Sequence, residues 1–394
     1  QQEKAPIQRL ADKFAVWFTP IVIVVSILGW VITQNVTTIL AVLVVATPCP
    51  LIFATPTGII SGINKAAKNG IVVKTGTAIE QLGKAKAIFF DKTGTITFGI
   101  PKLEYLKPIG DIDSDTLLRN LAGIEQMSSH PAAKSVLILA EGKFGKLPNP
   151  KNFHEMPGAG IEGDIEGQHI VVGSENVFVK MNSKLKEDIQ TAKTQIDSHG
   201  KMLAFVTING NLSGVLIFSD LIRPGVESMI HRLNDLGIKQ TAMLTGDNLE
   251  NANNIAQKAG ISTVHANLLP EQKVDIVKKT KEQYGNVIMV GDGINDAPSL
   301  ATATTGIAMG YGGTAISAET SDVVLLVDDI TRVATAVEIS QHTTKIVKQG
   351  IFFGIGASFV LMGFAGLGYI SPGYGALFQE ILDVTVILNA LRAR

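Results

Sequence analysis

Four long apolar stretches constrain this sequence more than any other feature. They occupy residues 14–32, 36–60, 351–370 and 374–391, and each is long enough to cross a bilayer as a helix. Short uncharged turns separate the members of each pair, so the pattern predicts two helical hairpins, one near each end of the chain. Basic side chains flank only the outer ends of the hairpins: Lys4, Arg9, Lys13, Lys65, Lys68, Lys74, Lys345, Lys348, Arg392 and Arg394.

Basic residues mark the cytoplasmic ends of membrane helices. Both termini and the central segment are therefore expected in the cytoplasm, and the chain is expected to be a multi-pass protein of the cell membrane with the lipid bilayer as a partner. A composition of 46% hydrophobic and 18% charged residues agrees with membrane content. A net charge of −1 gives no electrostatic reason to expect nucleic acid as a partner, and the single cysteine, Cys49, excludes an internal disulfide.

The central segment contains four apolar runs that each stop at a polar cluster. They read AIFFDKTGT, GVLIFSDLIRP, TAMLTGD and NVIMVGDGINDAP. Continuous apolar runs are typical of strands in a buried parallel sheet, and the sites of such sheets lie beyond the carboxyl ends of the strands. We therefore expect four residues to line one edge of an α/β sheet: Asp91, Asp220, Thr245 and Asp292.

Residues between 100 and 213 have a different character, with helical patterns followed by alternating strands and the hairpin signal Asn209-Gly210. This pattern predicts an inserted α+β domain. The expected organisation is a membrane hairpin at 1–64, a sheet domain at 65–99 and 214–344, the inserted domain at 100–213, and a second membrane hairpin at 345–394.

A carboxylate at a strand end can attack a phosphoryl group and form an aspartyl-phosphate. Asp292 next to Asp91 offers a hard oxygen site for Mg²⁺, with Asp296 as a further carboxylate. Lys273 and the Thr245 hydroxyl are suited to hold the remaining phosphoryl oxygens, because phosphoryl transfer depends on positioning and charge stabilisation.

Three motifs together resemble the signatures of P-type ATPases: Asp91-Lys92-Thr93-Gly94-Thr95, Thr245-Gly246-Asp247, and the segment from Gly291 to Pro298. The resemblance implies a haloacid-dehalogenase-like (Rossmannoid) phosphorylation domain, phosphorylation of Asp91, and a hinge strand at 220–224. The implied catalytic residues are Asp91, Lys92, Thr93, Thr245, Gly246, Asp247 and Lys273, and the implied Mg²⁺ residues are Asp91, Thr93, Asp292 and Asp296.

Residues 158–163 match G-x-G-x-x-G, but alternating strand residues and not a helix follow, which argues against a dinucleotide site. Several residues of this sequence resemble the nucleotide-binding residues of the heavy-metal branch of the same family. They are Glu125, Ser129-His130-Pro131 and the glycines Gly158 and Gly160. The resemblance thus implies that ATP binds at Glu125, His130, Gly158 and Gly160. Ser129 stands where many relatives have Glu.

Two prolines around Cys49 interrupt the second apolar stretch, which frees backbone carbonyls inside a span. The Pro-Cys-Pro setting resembles the metal-site helix of heavy-metal ATPases. The last stretch carries Gln379, Glu380 and Asp383, and intramembrane carboxylates are functional candidates because they are costly in lipid. All three could face Cys49 as ligands of a transported ion.

One thiol is a poor set for copper(I), which prefers several sulfurs, so the ligands favour a divalent transition metal. Iron, nickel, cobalt and zinc all stay open. An alternative is a pump for a hard cation such as potassium or calcium.

The sequence lacks the Thr-Gly-Glu loop with which family members hydrolyse the aspartyl-phosphate, and the helices that precede it. We therefore expect a fragment of a longer pump, with the actuator domain and N-terminal helices as partners. The competing interpretation is a membrane-anchored phosphatase or regulatory remnant of the same fold.

Overall fold

The computed structural model describes residues 6–47, 49–156, 159–181, 183–196, 201–293, 296–310 and 319–394. The chain forms two compact units. The first unit comprises Gln1–Phe90, Glu227–Ala242 and Leu269–Arg394, and the second comprises Asp91–Val226 and Met243–Leu268. Neither coincides with one of the segments expected from the sequence, and that segmentation stays a prediction.

Apolar helices make up the two ends of the first unit. They are α1 (Pro6–Thr33), α2 (Val36–Val45), α3 (Cys49–Lys68), α13 (Arg332–Gly366) and α14 (Pro372–Leu391). Among the described residues, α13 and α14 are long and apolar enough to cross a membrane, whereas Phe18–Thr33 and Val36–Val45 are shorter apolar helices. The second apolar stretch is thus divided between α2, which ends at Val45, and α3, which begins at Cys49. Large apolar side chains stay exposed on these helices, as a lipid-facing surface requires.

The first unit also contains most of a parallel sheet. Its strands are β1 (Ile71–Val73), β2 (Ala87–Asp91), β9 (Gln240–Leu244), β11 (Val287–Gly291), β12 (Thr305–Met309) and β13 (Val323–Leu325), in the order β1-β13-β12-β11-β2-β9. Strands β13, β12, β11 and β2 are parallel, and β1 is antiparallel to β13. Val290 of β11 lies opposite Phe90 of β2, so both strands reach the same edge of the sheet. The helices between the strands are α4 (Gly76–Gly83), α9 (Val226–Asp235), α11 (Pro270–Tyr284) and α12 (Ala297–Thr302).

The second unit is built around an antiparallel sheet. Its strands are β3 (Thr97–Pro108), β4 (Lys151–Met156), β5 (Gly160–Ile165), β6 (Gln168–Gly173), β7 (Met202–Ile208) and β8 (Asn211–Ile222), in the order β3-β8-β7-β6-β5-β4. The hairpin at Asn209-Gly210 is confirmed: both residues have positive φ, and Ile208 pairs with Asn211. The expectation that the apolar run ending at Asp220 belongs to the parallel sheet is wrong, because this run forms β8 and pairs antiparallel with β3 and β7. The same unit contains α10 (Leu249–Ala259) and β10 (Thr263–His265).

Helices cover both faces of the antiparallel sheet. They are α5 (Ser114–Glu125) and α6 (Pro131–Ala140) on one face, and α7 (Glu175–Met181) and α8 (Ser183–Thr194) on the other. Leu117 and Leu121 of α5 pack with Ile170 and Leu216, whereas Phe178 and Ile189 belong to a second cluster with Phe205. Alternation along the strands produces both cores, because successive side chains point to opposite faces.

Candidate functional site

Strand β2 ends at Asp91, and a tight turn follows it. All five side chains of β2 are buried, including Asp91. Gly94 has φ of +76°, a conformation that side chains other than glycine rarely adopt, so the chain reverses sharply here. The buried Arg223 braces the turn: its Nη2 donates to the carbonyl of Gly94 at 3.1 Å, its Nε donates to that of Thr97 at 3.3 Å, and its guanidinium lies 4.7 Å from the ring centroid of Phe98.

Lys92, the residue after Asp91, is buried between two carboxylates of the second unit. Its Nζ donates hydrogen bonds to Asp220 at the end of β8 and pairs with Asp247 after β9. Asn251 Nδ2 donates to Asp247 Oδ2 at 3.0 Å and closes the cluster. Burial would lower the pKa of Lys92, but the hydrogen bonds and charges of the two aspartates raise it above its ordinary value. Lys92 therefore stays cationic beside Asp91.

Thr245, Gly246 and Asp247 form a tight turn at the end of β9. The Thr245 N–H donates to the His265 carbonyl at 3.0 Å, and the Thr245 Oγ1 accepts from the Asp247 N–H at 3.1 Å. A Cβ on Gly246 would lie 3.2 Å from the Leu268 carbonyl oxygen. Backbone bonds on both sides thus hold the hydroxyl of Thr245 in a buried position.

Lys273 and Asp296 form a buried ion pair in the first unit. Lys273 Nζ, from the first turn of α11, donates to Asp296 Oδ1 at 2.8 Å. Burial raises the pKa of the Asp296 carboxyl above its ordinary value, Lys273 opposes this shift, and the charge of Asp292 adds to it. Asp296 Oδ2 is buried and has no hydrogen-bond partner within the described residues. Gly291 makes room for it, because a Cβ there would lie 3.0 Å from this oxygen.

A cavity of about 280 Å³ opens in the second unit between α5, α6 and the sheet. Its polar groups include Glu125, Ser128, His130 and Glu155, and its apolar walls include Met156, Ile161, Val172, Leu203 and Phe218. Apolar walls with a few converging polar groups are typical of sites for small organic molecules. The structure brings Glu125, His130 and Gly160 to this cavity, while Gly158 lies outside the described residues.

Glu125, the last residue of α5, carries an unusual carboxyl group. Burial raises its pKa to about 7, and the charge of Glu155 contributes. Glu155 itself accepts a hydrogen bond from Ser128 Oγ at 3.2 Å, and Ser129 Oγ lies 3.4 Å from the same oxygen. Near neutral pH the cavity can therefore present Glu125 either as a hydrogen-bond donor or as an anion.

His130 is held by the helix that follows it. As the N-cap of α6, its Nδ1 accepts from the Ala132 N–H at 3.2 Å, and its own N–H donates to Ser128 Oγ at 3.1 Å. An accepting Nδ1 leaves the proton on Nε2, so the imidazole offers a donor there. The contacts that orient His130 thus come from Ser128 and Ala132.

Gly160 is required by strand packing. A Cβ at this position would lie 2.1 Å from the Val172 carbonyl oxygen and 2.7 Å from the Gly173 Cα of the paired strand β6. The space that a side chain would need at Gly160 is thus occupied by the backbone of the neighbouring strand.

The helix break in the apolar region separates α2 from α3. Thr47 lies in the break, Pro48 lies outside the described residues, and Cys49 begins α3 with a side chain that is also outside them. Helix α14 runs alongside: a Cβ on its Gly375 would meet Val45 at 2.8 Å, and its Leu382 packs against Ala54. The turn of α14 between these contacts contains Gln379.

Gln379 is buried on that face, and its Nε2 donates to Asp383 Oδ1 at 3.1 Å. Two oxygens here are buried without a hydrogen-bond partner within the described residues, Gln379 Oε1 and Thr47 Oγ1. Glu380 is exposed and is not brought to this face. Among the described residues, no group of three or more His, Cys, Asp or Glu could hold a metal ion.

Sequence reasoning did not single out Asn251, Glu155 or Thr47 as site residues. Asn251 is far along the chain from Lys92, and Glu155 is far from Glu125, so no local sequence pattern marks either residue. Thr47 had a signal: a polar residue next to the prolines that interrupt an apolar stretch.

Comparison with known proteins agrees with the motifs. A family model described as haloacid dehalogenase-like hydrolase matches residues 85–304. The chain is 37% identical over 410 residues to a probable cadmium-transporting ATPase of Staphylococcus aureus and 36% identical to a copper-exporting P-type ATPase of Bacillus subtilis. These alignments cover all of the chain and 56% and 50% of the two relatives. The chain spans about half the length of the curated relatives it matches.

Solved structures show the same similarity. A crystal structure of a zinc-transporting PIB-type ATPase in the E2.Pi state matches with a TM-score of 0.85 and 30% identity, over 99% of this chain and 65% of that one. The catalytic domain of the CPx-ATPase CopB-B matches with a TM-score of 0.54 and 30% identity, over 70% of this chain and 98% of that domain. The predicted fold class, a haloacid-dehalogenase-like α/β domain with a nucleotide-binding insertion and membrane helices, is confirmed.

Proposed function

Because the chain belongs to the haloacid dehalogenase-like hydrolases and, among them, to the heavy-metal P-type ATPases, we propose that it carries the phosphorylation, nucleotide and ion sites of an ATP-driven cation pump. The actuator domain that hydrolyses the phosphoenzyme is proposed as a partner region beyond these 394 residues. The proposed location is a membrane, with the sheet and the nucleotide cavity in the cytoplasm.

The proposed reaction is phosphoryl transfer to Asp91. A carboxylate oxygen of Asp91 forms a bond to the γ-phosphorus of ATP, the bond to the β,γ-bridging oxygen breaks, and ADP leaves with that electron pair. The observation that carries the proposal is the position of Asp91, buried at the end of β2 beside a Lys92 that two carboxylates keep cationic. On the resemblance of the motifs, Thr93, Thr245, Gly246 and Lys273 are the proposed donors to the phosphoryl oxygens. Asp247 pairs with Lys92.

The residues present also fit a hard divalent cation. Asp296 offers a buried oxygen, Oδ2, without a partner among the described residues, and Asp292 is close enough to raise the pKa of Asp296. On the resemblance of the motifs alone, Asp91, Thr93, Asp292 and Asp296 stay the proposed Mg²⁺ residues. When bound, Mg²⁺ neutralises charge on the transferred phosphoryl group and on the carboxylates around it.

We assign the adenine ring of ATP to the 280 Å³ cavity. Its apolar walls suit the faces of the ring, and Glu125 and the Nε2 of His130 suit the nitrogen atoms at its edge. Gly158 stays in the proposed set on sequence resemblance, and Gly160 contributes through the backbone shape of β5.

The transported substrate is proposed to be a divalent transition-metal cation. Its proposed ligands are Cys49, Gln379 and Asp383, with the Thr47 hydroxyl as a further oxygen, because two unpartnered oxygens are buried where α14 passes the helix break. Relatives are described as cadmium-, copper- and zinc-transporting. Glu380 stays in the proposed set, and because its side chain is exposed we propose a smaller contribution from it.

Labelling with ATP tests the proposal. The purified chain, incubated with γ-labelled ATP and Mg²⁺, should form an acid-stable label that hydroxylamine removes, as an acyl phosphate requires. Asp91→Asn should abolish the label, whereas Asp188→Asn, on the exposed surface of α8, should retain it. Label that persists in Asp91→Asn would place the nucleophile elsewhere.

A further inference from the structure

A second cavity lies in the first unit, and none of its lining residues belongs to the catalytic motifs. It has a volume of about 730 Å³ and is open to solvent at the start of the apolar part of α13. One wall is the end of α4, at Gly83 and Lys84; the other is a face of α13 that includes Lys345, Lys348 and Phe352.

The basic side chains of α13 lie on one side of the helix. Gln341, Lys345, Lys348 and Phe352 follow each other at steps of four, three and four residues, which places them along a single stripe. Both lysines are exposed, and neither has an ion-pair or hydrogen-bond partner within the described residues. Lys84, by contrast, is paired with Glu80. Two unneutralised ammonium groups therefore face the cavity.

The other end of the cavity is apolar. Phe352 and Phe353 are 74% and 57% exposed, and they begin the uncharged stretch of α13. Basic residues at the end of an apolar span lie at the cytoplasmic surface of the membrane. The cavity thus has cations on its cytoplasmic side and phenylalanine rings on its hydrocarbon side.

The wall formed by α4 is fixed in place. A Cβ on Gly83 would lie 2.9 Å from the Ser340 carbonyl oxygen and 3.1 Å from Thr344 Oγ1, so the end of α4 rests directly on α13. Gln341 Nε2 donates to the Leu236 carbonyl at 2.8 Å and holds the stripe from the other side. The cavity is therefore a preformed cleft and not a surface of isolated lysines.

We propose that this cleft binds an anionic phospholipid of the cytoplasmic leaflet. The headgroup phosphate lies between Lys345 and Lys348, and an acyl chain runs along Phe352 and Phe353. Charge and polarity both select this occupant: a zwitterionic lipid would leave the two lysines unneutralised, and a free anion would leave the phenylalanine rings in water.

Native mass spectrometry of the chain in detergent, titrated with phosphatidylglycerol or phosphatidylcholine, tests the proposal. The chain should retain phosphatidylglycerol in preference. Lys345→Gln/Lys348→Gln should weaken phosphatidylglycerol binding about 25-fold, at about fivefold per lysine, without changing phosphatidylcholine binding. The matched control is Lys278→Gln/Lys279→Gln, which removes the same charge from the exposed face of α11 and should leave both affinities unchanged.

Three results would overturn the proposal. The first is equal binding of the two lipids, and the second is an equal loss in the control variant, which would mean general electrostatic attraction. The third is displacement of phosphatidylglycerol by inorganic phosphate at equal concentration, which would mean a free-anion site. The lysines are exposed, so the variants should keep the melting temperature of the parent chain, and a fall in that temperature in the double variant alone would also count against a lipid site.

Discussion

Lys273 Nζ and Asp296 Oδ1 lie 2.8 Å apart, with both side chains buried at the edge of the sheet that β2 and β11 share. The pair joins the start of α11 to the start of α12, so it fixes the two helices that follow β10 and β11 in the chain. Its carboxylate keeps one oxygen without a protein partner among the described residues. Asp296 thus accepts from Lys273 through Oδ1 and keeps Oδ2 for another partner.

Removing Lys273 should lower the stability of the folded chain. Lys273→Met leaves a buried carboxylate without its counter-charge, which we expect to destabilise the chain by about 3 kcal/mol. Burial already raises the pKa of Asp296, and loss of Lys273 raises it further. The folded state then holds a proton that the unfolded state releases, so the loss should be larger at pH 8 than at pH 5. Thermal unfolding at both pH values measures it.

Lys278→Met serves as the control for that experiment, because it removes an exposed lysine from the same helix. It should change the melting temperature little at either pH. If Lys273→Met is as stable as Lys278→Met, the buried pair does not contribute as the structure indicates.

Nucleotide affinity should depend on pH near neutrality. The pKa of Glu125 is raised to about 7 by burial and by Glu155, so the carboxyl is mostly neutral at pH 6 and mostly ionised at pH 8. Ionisation adds negative charge to the cavity and removes a donor. We therefore expect ATP to bind more weakly at pH 8 than at pH 6, as measured by calorimetry in the absence of turnover.

Glu125→Gln keeps a donor that does not ionise, so it should remove most of this pH dependence. The same variant should be more stable than the parent chain at pH 8, because a folded-state pKa above the unfolded value of 4.5 makes stability fall as pH rises towards 7. Glu141→Gln, at an exposed position after α6, should do neither. A pH dependence that survives in Glu125→Gln would assign it to another group.

His130 and Gly160 should respond differently to substitution. His130→Ala removes a side chain at the mouth of the cavity and should weaken ATP binding with a small change in melting temperature, through the lost helix cap. Gly160→Ala forces a Cβ into the backbone of β6, 2.1 Å from the Val172 carbonyl oxygen. We expect it to destabilise the chain by about 1–3 kcal/mol as well as weaken ATP binding.

Measuring the melting temperature and the ATP dissociation constant of both variants separates the two roles. Gly145→Ala is a suitable control, because nothing lies within 4 Å of its Cβ position and its φ is not positive. A Gly160→Ala chain of parental stability would contradict the packing role of this glycine.

Polar side chains of α14 should affect the affinity for the transported cation according to how far they are buried. Asp383→Asn and Gln379→Leu alter the buried face beside the helix break and should lower the affinity for the transported cation at least tenfold. Glu380→Gln alters an exposed side chain and should lower it little. Equilibrium binding of Zn²⁺, Cd²⁺ and Co²⁺ to the purified variants gives these affinities.

Thr385→Val, on the exposed part of the same helix, controls for general effects of substitution in α14. A large loss in Glu380→Gln with none in Asp383→Asn would reverse the ligand assignment and place the site on the opposite side of the helix.

Much of the architecture could be read from local patterns. Apolar runs that stop at Asp91 and Thr245 predicted strand ends, Asn209-Gly210 predicted a hairpin, and the proline pair around Cys49 predicted an interrupted span. Each of these signals acts within a few residues: an apolar run needs burial, positive φ needs glycine or asparagine, and proline cannot continue a helix. The sequence alone therefore determined the fold class, the candidate nucleophile and the position of the membrane break.

Tertiary structure decided how those residues are used. Lys92 finds its carboxylates on segments more than a hundred residues away, Glu125 has a raised pKa because the fold buries it facing Glu155, and Gly160 is needed because β6 pairs against it. On α14, spacing allowed Gln379, Glu380 and Asp383 to share a face, but the packing of Gly375 and Leu382 against α2 and α3 buries Gln379 and leaves Glu380 exposed. Such properties depend on which distant surfaces meet, and desolvation and charge pairing arise only once they do.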